Sequence, residues 1–174
     1  MPDTFVKIAT VTVGSGGASS IDFTSIPSTY TDLCVKISTI DTSSAGSPNV
    51  KLTFNSSTSG YSNRRIIGYN GTNVASFSDT SIAYGIATLD NTSSHTSNTF
   101  TNSEIYVPNY TSSNNKSFSL DTVVENNSTT VNALGLYAQI WANSAVISSI
   151  SMTPDGGFNF VQYSTATLYG ISNS

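Results

Sequence analysis

Apolar residues recur at every second position through most of this chain, and no window spaces them at i, i+3, i+4, i+7 as an amphipathic helix would. Strict alternation is the mark of a strand with one wet face. Residues 5–13 read as a first strand, followed by the flexible connector GSGGASS at 14–20. Ile21 and Phe23 alternate in a short second strand that Pro27 stops, because proline brings no N–H to a ladder. Leu33, Val35 and Ile37 share one face of a third strand, with Asp32, Cys34, Lys36 and Ser38 on the other. Val50, Leu52 and Phe54 mark the next, beyond a loop at 41–49.

The middle of the chain predicts a hairpin. Residues 64–69 form one arm, YNGTN at 69–73 the turn, and 74–77 the return, with Asn70-Gly71 the strongest turn signal in the chain. Ile82, Tyr84 and Ile86 alternate as one strand before the polar loop at 89–98. Further strands follow at Ile105 and Val107, at Phe118, Leu120, Thr122 and Val124, and at Leu134, Leu136, Ala138 and Ile140. The last two run through Val146, Ser148, Ile150 and Met152, then, after the turn PDGG, through residues 165–171. The expectation is an all-β fold of about ten to twelve short strands. They form an antiparallel β-sandwich, jelly-roll-like, in one domain spanning 1–174.

Composition adds the nature of the wet faces. Ser, Thr and Asn make up about 42% of the 174 residues, while charged residues are 9% against an ordinary share of about 25%. Polar low-complexity chains often stay unfolded. Here 37% hydrophobic residues at a regular period argue for a packed core with Ser and Thr on its solvent faces. Seven Asn-x-Ser/Thr triplets, beginning at Asn55, Asn70, Asn91, Asn109, Asn115, Asn126 and Asn127, follow by chance from such a composition. Six basic residues in a chain of net charge −4 cannot line a phosphate backbone, so no nucleic acid is expected as a partner. No apolar run approaches a membrane helix, so no membrane partner is expected. The start, MPDTFVKIAT, lacks the basic and apolar regions of a signal peptide, which predicts synthesis in a cytoplasm without export.

Candidate chemistry is thin. The single His95 lies in SSHTS within a polar loop, which reads as a solvated histidine and not as a triad base. Cys34 sits mid-strand, where it packs instead of reacting. Glu104 and Glu125 flank two different strands, and nothing in their spacing makes them a glycosidase pair. One His and one Cys exclude a structural zinc site, and no loop has the acid density of a calcium site. The reading is therefore no enzyme, no cofactor and no metal. Arg64 and Arg65, adjacent on a strand, must point to opposite faces, one solvated and one covering the sheet.

The aromatic residues carry more. If Leu134, Leu136, Ala138 and Ile140 face the core, then Tyr137, Gln139 and Trp141 lie on the opposite face. Three readings stand for that trio: a subunit interface, where Tyr and Trp are enriched; a platform on which host glycans stack; or a strand end folded into the core.

Three segments carry a family resemblance: SIPSTYTDLCVKIS (25–38), LTFNSSTSGYSNRRIIGYNG (52–71) and IWANSAVISSISMTPDGGFNFVQYSTATLYGI (140–171). Together, in this order, they resemble small β-rich, jelly-roll-like virion surface proteins of tailed bacteriophages of the marine and cyanophage type. The resemblance implies a virion structural protein, assembled in the host cytoplasm. The expectation built on it is a capsid decoration (cement) protein, a homotrimer bound to the major capsid protein or other virion proteins. The alternative is a tail-fibre or receptor-binding module that recognises host surface glycans.

Overall fold

The computed structural model describes residues 4–43, 49–89, 91–92, 95–96, 98–127 and 132–172. The described chain is built from twelve strands. These are β1 (Phe5–Thr12), β2 (Ile21–Phe23), β3 (Asp32–Ser38), β4 (Asn49–Phe54), β5 (Tyr61–Tyr69) and β6 (Asn73–Ile82). They continue as β7 (Gly85–Leu89), β8 (Asn102–Val107), β9 (Lys116–Val124), β10 (Ala133–Trp141), β11 (Ile150–Pro154) and β12 (Thr165–Ile171). An eight-stranded sheet has the order β1-β12-β3-β8-β9-β10-β5-β6, and a four-stranded sheet has the order β2-β11-β4-β7. Every strand pairing is antiparallel.

The connectivity explains the order. Set aside β5, β6, β9 and β10, and eight strands remain that pair first with last: β1 with β12, β2 with β11, β3 with β8, and β4 with β7. That is one long hairpin rolled up until β12 meets β3 and β11 meets β4, which is a jelly roll. The remaining strands are two inserted pieces. β5 and β6 lie between β4 and β7, β9 and β10 between β8 and β11, and the pieces meet where β10 pairs β5. Together they widen one sheet by four strands.

The core lies between the sheets and follows the alternation. In β9 the pattern is strict, with Lys116, Phe118, Leu120, Thr122 and Val124 buried and the residues between them exposed. One group of polar inward positions is satisfied across the sandwich. Thr88, Ser103 and Thr122 close a hydroxyl triangle with edges of 2.6, 2.7 and 3.1 Å. The Thr122 hydroxyl also accepts the Leu89 N–H at 3.2 Å. Buried hydroxyls need such partners, and this cluster lets a Ser/Thr-rich chain keep inward polar positions.

Three expectations change. The alternation of Ile82, Tyr84 and Ile86 is not one strand: Ile82 ends β6 and Ile86 lies in β7 of the other sheet. Ser81, at φ 57°, lies at the irregular end of β6, between its pairs Asp79–Asn63 and Ile82–Tyr61, just before the chain leaves the sheet. The return arm of the hairpin runs ten residues to Ile82, because β5 keeps pairing with it from Tyr69 back to Tyr61. Strand β11 begins only at Ile150; ahead of it Ile147 is buried, while Val146 is exposed.

Candidate functional site

β10 settles the largest open point, and corrects one face. Tyr137, Gln139 and Trp141 are 3%, 3% and 1% exposed and point between the sheets. Leu134 and Leu136, expected inside, are 60% and 62% exposed. Alternation cannot choose the phase when both faces of a strand carry apolar side chains. The larger aromatic area goes inward because its burial removes more apolar surface from water. Trp141 stacks on Tyr61 at 6.2 Å between centroids, touches Phe54 at 5.7 Å, and donates its indole N–H to the Ser57 hydroxyl at 3.2 Å. Gln139 ties the sheets together: its amide accepts from the Ile86 N–H and donates to the Ile86 carbonyl, both at 2.8 Å. These three residues build the core and form no exposed contact platform on this chain.

The outward face of β9, β10, β5 and β6 is the surface with the most unusual chemistry. Register places Val123, Leu134, Gly68 and Val74 in one row, and Asp121, Leu136, Ile66 and Ser76 in the next. Ser119, Ala138, Arg64 and Ser78 form a third. Ile66 is 58% and Val74 77% exposed, so the apolar strip crosses all four strands. Over its middle lies an open concavity of about 630 Å³ lined by Ile66, Leu136 and Ala138, with Arg64 and Asp121 at its sides. A second, of about 400 Å³, continues it past Leu134, Val123 and Val74.

The charges around this strip are arranged unevenly. Asp121 stands directly opposite Glu104 on β8, and Glu104 is taken by Lys36 of β3. The Glu104 hydrogen bond lifts the Lys36 ammonium pKa above its usual range. Arg64 turns outward and Arg65 inward, as adjacent strand residues must. Arg65 lies 4.9 Å from the Phe77 ring centroid, reaches Asn63 at 2.6 Å, and pairs with Asp79. That guanidinium holds the Asp79 carboxyl below the ordinary carboxylate range. Arg64 donates only to the neighbouring Asn63 carbonyl at 2.9 Å. Among the described residues, neither Arg64 nor Asp121 forms an ion pair.

The other candidates fall into structural roles. His95 Nδ1 lies 2.8 Å from the Asn91 side-chain oxygen and pins the loop after β7. Cys34 is fully buried, and burial pushes its thiol up to about 11, so it stays protonated at neutral pH. Glu104 faces Asp121, while Glu125 is exposed and accepts the Asn127 N–H at 2.7 Å. No group of three or more His, Cys, Asp or Glu comes together among the described residues. The exposed strip had a signal in the sequence, since β10 is apolar on both faces, and only the phase was misassigned. Comparison with protein-family models, curated proteins and solved structures gives no match to this chain.

Proposed function

We infer that this chain is a structural protein of a tailed-bacteriophage particle, a decoration protein that binds the outside of the head and works by surface association. The observation that carries this reading is the apolar strip of Leu134, Leu136, Ile66, Val74 and Val123. It stands on four strands added to a jelly roll that closes without them. A large exposed apolar face marks an interaction surface. Binding that favours the assembled state stabilises it by mass action and needs no catalytic group. The charge-poor Ser/Thr surface and the family resemblance of the three sequence segments support the same reading.

Tyr137, Gln139 and Trp141, the candidate contacts for an interface or a glycan, all face inward and support neither reading. The deciding experiment is the copy number in purified particles, by quantitative gel densitometry. Decoration of the head requires hundreds of copies. A count near a dozen would overturn it in favour of the tail.

A further inference from the structure

We propose that the outward face of β9-β10-β5-β6 is a two-fold interface that takes a second copy of this chain. The proposal rests on the reading that the chain works by association through this face, and it seats a second copy there, so a dimer and a shell-bound monomer exclude each other on this strip.

In a two-fold contact between stacked sheets the axis lies in the interface, and each residue meets the partner residue related by that axis. An axis running along β10 lays β9 of one copy over β5 of the other. Leu134, Leu136 and Ala138 of both copies then meet at the axis, flanked by Ile66 and Val123. The same rotation sets Asp121 of each copy over the β5 column of its mate, one pleat from Arg64. A guanidinium on its long flexible stem spans that offset. Two symmetric Arg64–Asp121 pairs result. They join the two charges at this strip that form no ion pair among the described residues.

The electrostatics favour this occupant over an arbitrary apolar one. Asp121 directly faces Glu104, and like charges opposite each other across strands are unfavourable. Lys36 pairs with Glu104, and among the described residues no ion pair reaches Asp121. A second copy supplies a cation in the right column, while its own Asp121 receives Arg64 in return. Ser76, Ser78 and Ser119 form the polar rim around this apolar centre, the anatomy of a specific interface. Four strands by about seven residues give a footprint of roughly 20 by 24 Å, under about 500 Å² per copy and below the usual specific interface, which fits a weak, transient contact. The dimer should therefore form at micromolar concentration and be reversible.

Sedimentation equilibrium of the purified chain between about 1 and 100 µM tests this. A concentration-dependent dimer is expected. Leu134→Asp, at the proposed axis on a side chain 60% exposed and paired with Val123 and Gly68, should leave a monomer with an unchanged circular dichroism spectrum. Arg64→Asp should weaken the dimer at least about tenfold by setting like charges face to face, and adding Asp121→Arg should restore it. A monomer throughout, a trimer, or a dimer indifferent to Leu134→Asp would each overturn the proposal. None of these results bears on particle copy number, which tests the virion reading separately.

Discussion

At the scale of single residues, two glycines explain why distant segments fit together. Gly170 of β12 lies under Tyr30, and a Cβ there would sit 2.3 Å from the ring. Next to it the Thr31 N–H donates to the Ile171 carbonyl at 2.8 Å. The corner SIPSTY and the closing strand ATLYGI are thus two halves of one contact, which no local pattern could reveal. Gly170→Ala should destabilise the fold by about 1–3 kcal/mol through overpacking. The thermal midpoint should fall by about 2–4 °C for each kcal/mol. In a Tyr30→Ala background the glycine substitution should lose most of its cost; an equal penalty in both backgrounds would show that Tyr30 is not the obstacle. Gly85 has the same logic in β7, where a Cβ would stand 2.8 Å from the Phe118 ring and 3.3 Å from the Gln139 oxygen. The glycine lets β7 come down onto the larger sheet and lets Gln139 reach Ile86.

At the scale of elements, the hairpin β5–β6 differs from the rest. Residues of β6 are exposed or half-buried on both faces, whereas β7 is buried along its whole length. Little of the smaller sheet lies over this hairpin, so its own turn and its pairing with β10 hold it. The turn needs left-handed backbone at Asn70 (φ 52°) and Gly71 (φ 74°). A Cβ on Gly71 would touch nothing, so Gly71→Ala isolates the backbone penalty. It should cost about 1–2 kcal/mol. The loss should appear first as faster amide hydrogen exchange in β5 and β6, with β3 and β8 unchanged. Uniform acceleration across all strands would show instead that the hairpin unfolds only with the whole molecule. The sequence pointed to this turn correctly because Asn-Gly acts locally. It could not show that the chain crosses between sheets after Ile82, because alternation continues through the crossing.

At the scale of the whole molecule, the sandwich hides groups that must stay protonated. Burial raises the Tyr61 hydroxyl to about 12 and the Cys34 thiol to about 11, and it raises Tyr137 as well. The unfolded chain releases these protons at lower pH than the folded one does. Their contribution is therefore complete at neutral pH and is lost as pH rises from about 9 through 12. Urea midpoints should hold steady near neutrality and drop across that alkaline window, with a shallower drop in Tyr61→Phe. A midpoint that stays level to pH 12 would contradict this account. What the sequence determined by itself was of short range: most strands by their period, turns by Pro27 and Asn70-Gly71, and a wet surface rich in Ser and Thr. The tertiary structure alone decided which face of β10 is inside, that two insertions widen one sheet, and that Tyr30 closes on Gly170. A period of two fixes that faces alternate but not which one is buried. That choice depends on the strands and the opposing sheet each face meets, and those partners come from far along the chain.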